Sequence, residues 1–114
     1  MEIKGYTLHG DYYLADKVIT NISWKKALKM KKKVTLPNGK TVIAHTLSKE
    51  ELETIPKEER KCGKWYWTSS SYDSDTRWFV FTYCGFFYAN RVGSGNSAGG
   101  ARLGFKNPLL EEEQ

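Results

Sequence analysis

Residues 65–105 read WYWTSSSYDSDTRWFVFTYCGFFYANRVGSGNSAGGARLGF, and this stretch decides the fold. It begins with Trp-Thr-Ser-Ser, continues with an aromatic run that closes on Gly85, and passes through a polar Gly/Ser/Asn loop into a final Arg-Leu-Gly-Phe segment. Aromatic and β-branched residues between turn-forming residues are typical of strands. We therefore predict strands at 66–69, 77–83, 86–90 and 101–105, with turns at 71–75 and 84–85.

A first helix is predicted upstream of this stretch. Ser23 is a favourable N-cap. Trp24, Ala27 and Leu28 recur at helical spacing, which predicts a helix from Trp24 to about Lys32. Its exposed face would consist of lysines.

A second helix has a clear start signal. Ser48 and Glu51 fit a capping box, while Leu47 and Leu52 occupy the positions of a hydrophobic staple. The helix should end before Pro56. The remaining chain predicts strands at 2–8, 12–14 and 40–46, turns at 9–11 and 37–39, and a charged connector without periodicity at 57–64.

The order of these motifs resembles that of C-type-lectin-like domains of bacteria and phages. The likeness covers residues 23–105 and rests on the Ser23-Trp24 helix start, the 44–52 strand-to-helix passage and the closing Arg102-Leu103 strand. Related groups are the variable proteins of diversity-generating retroelements and the formylglycine-generating (sulfatase-modifying) enzymes. The resemblance implies an α+β fold: a single C-type-lectin-like domain at 1–106, with two short helices followed by an antiparallel β-rich C-terminal half. Residues 107–114 are predicted to form an acidic C-terminal tail.

Composition favours one intracellular domain with a recognition surface. The chain has 114 residues, of which 14% are aromatic, more than a small core hides easily. Residues 1–5 are not followed by an apolar run, and no segment approaches a membrane span, so we expect a cytoplasmic protein without a Sec signal. The two cysteines, Cys62 and Cys84, fit neither a disulfide framework nor a zinc pattern and are expected to be free thiols.

The hairpin around Gly85 predicts a binding surface, because side chains alternate between the two faces of a strand. The resemblance assigns the inner face to Trp78, Val80, Thr82, Phe87 and Ala89. The outer face would then carry Phe79, Phe81, Tyr83, Phe86, Tyr88 and Asn90, flanked by Arg77 and Arg91. Rigid aromatics with arginines are typical of interfaces. Two alternatives stay open: the aromatics are core beneath another layer, or Thr82, which replaces an inward aromatic of the family, marks exchanged faces.

Two polar loops, 71–76 and 93–100, lie by analogy at the ligand-binding end of such domains. Their candidate ligand-binding residues are Tyr72, Asp73, Asp75 and Asn96. The alternative is that Asp, Ser, Gly and Asn are present because turns need them. The calcium motifs of sugar-binding relatives are absent, and two aspartates are too few for a site, so no metal is predicted.

Catalysis is not expected. His9 and His45 are the only histidines, and neither they nor the cysteines form a recognisable nucleophile, base and acid set. We therefore predict no catalytic residues, no cofactor and no enzyme activity.

The lysines of residues 25–33 are a separate candidate. Six lysines and no acidic residue fall in this stretch of a chain with net charge +5. On one helix they would form a basic patch for nucleic acid or an acidic protein, or simply a solvated face. The patch residues are Lys25, Lys26, Lys29, Lys32 and Lys33.

The favoured function is a non-enzymatic recognition module that binds a protein or glycan through the aromatic hairpin and adjoining polar loops. The alternative is a small phage or mobile-element intracellular inhibitor or adaptor. It would bind a bacterial effector or a nucleic-acid complex through the basic helix and the aromatic face. Self-association is expected if the aromatic face is open, because a two-fold axis would bury it against a second copy.

Overall fold

The computed structural model describes residues 2–71, 76–81, 85–91 and 99–112; at positions 76–81, 90, 91, 111 and 112 it describes the backbone. Within these residues the chain forms an α+β fold of ten strands and four short helices. The strands are β1 (Tyr6–His9), β2 (Tyr12–Ala15), β3 (Ile19–Ile22), β4 (Lys31–Thr35), β5 (Thr41–Thr46), β6 (Tyr66–Ser71), β7 (Thr76–Phe81), β8 (Phe86–Arg91), β9 (Gly99–Ala101) and β10 (Leu103–Lys106). The helices are α1 (Trp24–Lys29), α2 (Lys49–Glu53), α3 (Lys57–Arg60) and α4 (Pro108–Glu112).

The described strands form three antiparallel sheets. A five-stranded sheet has the order β1-β2-β10-β5-β4, so β10 lies between strands from the first half of the chain. β3 pairs with β9, and β6-β7-β8 form a three-stranded sheet. No helix in the described part of the chain is long and apolar enough to cross a membrane.

The five-stranded sheet is covered on both faces at β2. Tyr13 and Leu14 are neighbours on β2 and therefore point to opposite faces, yet both are buried. The first core cluster contains Ile3, Tyr13, Val34, Leu36, Ala44, Leu103 and Phe105. The second core cluster contains Leu14, Leu47, Leu52, Ile55 and Tyr66. The third core cluster contains Ala27, Trp67 and Ala101.

The start of the second helix is confirmed. Ser48 Oγ accepts a hydrogen bond from Glu51 N (3.0 Å), and Glu51 Oε1 accepts one from Ser48 N (2.9 Å), which completes the capping box. Leu47 and Leu52, the predicted staple pair, are both buried in the second core cluster.

The predicted extent of the first helix is wrong. Ser23 caps α1 as expected, but the helix ends at Lys29, where Met30 turns extended (φ −73°, ψ 126°). Residues 31–35 form β4 instead and pair with β5 along its length. Lysine is a good helix former, so local preference does not explain this strand. The pairing with β5 and the burial of Val34 decide the conformation.

Two segments predicted without structure contain helices. α3 occupies the predicted connector, with Pro56 preceding it at φ −53° and Glu58 and Glu59 in its first turn. These residues match the usual helix start of a proline followed by acids. α4 occupies the predicted tail, where Asn107 Oδ1 accepts a hydrogen bond from Leu109 N (3.1 Å).

The strand predictions need three further corrections. The predicted strand at 2–8 is interrupted by a turn at Gly5 (φ +86°) before β1, and β3 was missed. The predicted strand at 101–105 is two strands, β9 and β10, that belong to different sheets and meet at Arg102. The N-terminal half is therefore strand-rich as well, unlike the predicted division into helices followed by strands.

Candidate functional site

The aromatic hairpin forms from β7 and β8 in a regular register. Phe79 lies opposite Tyr88 and Phe81 lies opposite Phe86. At the far end Arg77 lies opposite Asn90, and Thr76 opposite Arg91. The backbone therefore brings the predicted binding residues of the two strands together as cross-strand neighbours.

The side chains of β8 alternate at its start. Phe86 and Tyr88 are 48% and 45% exposed, whereas Phe87 between them is half-buried and packs against the second core cluster. The prediction placed these three side chains on the same faces, with Phe86 and Tyr88 outward and Phe87 inward. Ala89, predicted to face inward, is exposed and is not among the residues that pack against the second core cluster.

Helix α3 supports the turn of the hairpin. Gly85 has φ +71° and lies so close to the carbonyl oxygen of Lys57 that a Cβ there would overlap it. Lys57 also places its Nζ atom 4.2 Å from the ring centroid of Phe86. Gly85 and Phe86, at the start of β8, thus pack against α3 by close backbone contact and by a cation–π contact.

Beneath the hairpin, Phe87 lies against two more cations. The guanidinium carbon of Arg60 is 4.5 Å from the Phe87 ring centroid, and Lys49 Nζ is 5.4 Å from it. Arg60 is 9% exposed, and within the described residues its Nε atom has no hydrogen-bond partner. The cation–π contact with Phe87 is therefore a main interaction of this guanidinium, together with a 3.4 Å hydrogen bond from its NH1 to the Leu52 carbonyl.

Arg102, which lies between β9 and β10, forms hydrogen bonds to residues around Arg60. Its Nε donates to the carbonyl of Ala15 (2.8 Å), and its NH1 donates to the carbonyl of Arg60 (3.2 Å) and to the Tyr66 hydroxyl (3.4 Å). The Tyr66 hydroxyl in turn donates to the Arg60 carbonyl (2.6 Å). Burial raises the pKa of Tyr66, and the nearby positive charge of Arg102 opposes this shift in part. Arg102 thus has a structural role in this chain.

Several predicted binding residues lie outside the described residues. These are Tyr72, Asp73, Asp75, Tyr83 and Asn96. The glycines at the end of the second predicted loop belong to β9 instead. Gly99 and Gly100 are buried, and a Cβ on either would overlap Trp65. They are required for close packing beneath Trp65 and are not accessible for binding.

The predicted basic patch does not lie on one helix. Lys25, Lys26 and Lys29 belong to α1, whereas Lys32 and Lys33 belong to β4. Lys32 and Lys33 are neighbours on a strand and so point to opposite faces of the sheet. The prediction that these lysines share one helical face is wrong.

Sequence reasoning missed the cations that contact the hairpin. Lys49, Lys57 and Arg60 precede Phe86 and Phe87 by more than 25 residues, and no local pattern connects them. A proline followed by acidic residues, as at Pro56, is a helix start signal. It could have predicted α3, and with it that Lys57 and Arg60 are held on a helix.

Within the described residues, no group of three or more His, Cys, Asp or Glu side chains is placed to hold a metal ion. What the site presents is exposed aromatic area on a strand, with cations beside it and a core beneath it. Comparison of the chain with protein-family models, with curated proteins and with solved structures finds no match.

Proposed function

We propose that this chain is a non-enzymatic recognition domain that binds a protein or a glycan through the hairpin of β7 and β8. The observation that carries the proposal is the contrast along β8: Phe86 and Tyr88 are exposed on one face while Phe87 anchors the strand in the core. Exposed aromatic rings on a fixed strand offer contact area at little entropic cost, and they stack on sugar rings or fill protein pockets.

The surroundings of the hairpin support a preformed surface. The contact of Gly85 with Lys57 and the contact of Arg60 with Phe87 hold the start of β8 in place. A binding surface that is already ordered loses less conformational entropy when a partner binds.

The C-type-lectin-like assignment remains part of the proposal and rests on the order of motifs. The capped helix after Ser23, the capped helix after Ser48, the aromatic hairpin and the strand after Arg102 follow one another as in that family. We further propose a cytoplasmic location, consistent with the free thiol of Cys62. Two copies joined through the hairpin are the form we expect without a partner.

Binding assays with a matched pair of variants test the proposal. The wild type, the double variant Phe86→Ala/Tyr88→Ala and the control Leu109→Ala are applied to glycan arrays and used to capture proteins from bacterial lysate. Leu109 is 45% exposed on α4, so its truncation removes similar apolar exposure elsewhere. We expect a ligand for which the affinity of the double variant is lower by about tenfold or more, while the affinity of the control is unchanged.

Salt and nuclease treatment distinguish binding through the aromatic hairpin from binding through the lysines. Binding to an aromatic surface should persist at high salt and after nuclease treatment, whereas binding through the lysines should weaken steeply with salt. A ligand that the folded double variant binds as tightly as the wild type would exclude the hairpin as the site.

A further inference from the structure

The outer edge of β4 is open in the described part of the chain. β4 is the last strand of its sheet, with β5 on one side and no described strand on the other. Leu36 N donates to the carbonyl of Lys40 (2.8 Å), a pair that continues the register of β4 with β5. Because hydrogen-bonded and non-hydrogen-bonded pairs alternate along an antiparallel ladder, the backbone groups of Lys31, Lys33 and Thr35 point away from β5.

A basic groove runs beside this edge. Lys31 lies opposite His45 and Lys33 opposite Ile43, so these four side chains share one face of the sheet. They line a groove of about 700 Å³ together with Leu28 of α1, and no acidic residue is among its described lining residues. Lys31 and Lys33 are exposed and form no ion pair with the described residues. The groove therefore combines an apolar floor, uncompensated positive charge and an unpaired strand edge.

We propose that the β4 edge binds an extended acidic segment of a protein partner, which adds to the five-stranded sheet as a sixth strand. Backbone groups of the segment pair with those of Lys31, Lys33 and Thr35, which is the usual mode of strand addition. Acidic side chains at alternate positions lie across from Lys31 and Lys33, where opposite charges are favourable. This site is separate from the hairpin and does not depend on the function proposed for it.

Two other occupants fit the same surface less well. A second copy of this chain, paired through its own β4, would place lysines across from lysines, which is unfavourable. A nucleic acid would use the positive charge but leave the strand edge unpaired, and the described lining residues include no Phe, Tyr or Trp ring on which a base could stack. An acidic peptide uses both the charge and the edge.

The test is fluorescence anisotropy with defined probes. The main probe is a labelled, end-capped peptide of about seven alternating Glu and Val residues, a usual strand length. The comparison probes are a peptide with Lys in place of Glu, the Glu/Val peptide with alternate backbone nitrogens methylated, and an oligothymidylate of about 20 nucleotides, long enough for a single-strand binding site. We expect the Glu/Val peptide alone to bind, because it alone offers both acidic charge and free backbone N–H groups.

Charge reversal at matched positions locates the site. Lys31→Glu/Lys33→Glu should weaken binding of the Glu/Val peptide by about tenfold or more, since two cross-strand attractions become repulsions. Lys25→Glu/Lys29→Glu changes the net charge equally on α1 and should weaken it less than about threefold. Thr35→Pro removes an outward N–H without changing charge and should also weaken binding. Thermal unfolding of each variant verifies that it is folded.

The following results would overturn the proposal. These are equal losses from the two charge reversals, equal binding of the methylated peptide, or no binding of the Glu/Val peptide up to about 1 mM, the weak end of specific affinities. Binding of the oligothymidylate that is lost on reversal at β4 would assign the groove to nucleic acid instead. If Thr35→Pro does not fold, the methylated peptide still tests the backbone pairing.

Discussion

The Nζ atom of Lys57 lies 4.2 Å from the ring centroid of Phe86, so helix α3 places a positive charge over an exposed ring of the hairpin. This contact joins two segments that are 29 residues apart in the sequence. Its energy should be modest because both side chains are exposed, and a double-mutant cycle measures it. We expect a coupling of about 0.5–1 kcal/mol between Lys57→Met and Phe86→Leu in urea unfolding. Additive effects of the two substitutions would contradict the contact.

Gly85→Ala should destabilise the protein more than Gly39→Ala. Both glycines have positive φ, +71° and +89°, but only the added Cβ at position 85 would overlap a backbone atom, the Lys57 carbonyl; at position 39 it meets nothing within 4 Å. We expect about 1 kcal/mol for Gly39→Ala from backbone strain and about 2–4 kcal/mol for Gly85→Ala from strain plus overlap. Equal losses in chemical denaturation would show that α3 does not support the turn.

Arg102→Met should be strongly destabilising, although no carboxylate among the described residues pairs with Arg102. The substitution removes hydrogen bonds to Ala15, Arg60 and the Tyr66 hydroxyl in a buried region, a loss of about 2–4 kcal/mol. Lys106→Met, at an exposed position of β10, should change the free energy of unfolding by less than about 0.5 kcal/mol. A small effect of Arg102→Met would mean that these hydrogen bonds add little net stability.

Tyr66 should limit stability at alkaline pH. Burial raises its pKa in the folded state above the unfolded value of 10.0, so the folded state holds the proton more tightly. The resulting stability is present below pH 10 and is lost as the pH rises through the folded pKa. Tyr66→Phe should lower the free energy of unfolding at neutral pH by about 1–2 kcal/mol, through loss of the hydroxyl hydrogen bonds, and should flatten the alkaline decline. Urea unfolding between neutral pH and pH 11 measures both effects; an unchanged alkaline slope in the variant would contradict this role.

Local signals were readable from the sequence where neighbouring residues act on one another. The capping box of Ser48 and Glu51 lies within four residues and predicts α2 without tertiary information. The alternation of side-chain direction at Phe86, Phe87 and Tyr88 is likewise a property of one short strand. It accounts for the exposure of Phe86 and Tyr88 on one face.

Features that depend on pairing across the chain were not readable. Three consecutive lysines at 31–33 are compatible with a helix or with a strand. Pairing with β5 is what makes these residues part of β4. The division of the last strand at Arg102 has the same origin, because β9 pairs with β3 and β10 pairs with β2 and β5. Tertiary contacts override local preference in both segments.

The position of β10 has a consequence for how the protein is made. β2 and β5 each pair with β10, which is synthesised almost 60 residues after β5. Until β10 leaves the ribosome, the five-stranded sheet lacks its middle, and β2 and β5 both keep an unpaired edge. The nascent chain therefore cannot complete its largest sheet until residues 103–106 have emerged, and folding depends on contacts between distant segments, which form slowly. Protection of these edges by a chaperone is most useful in that interval, before residues 103–106 emerge.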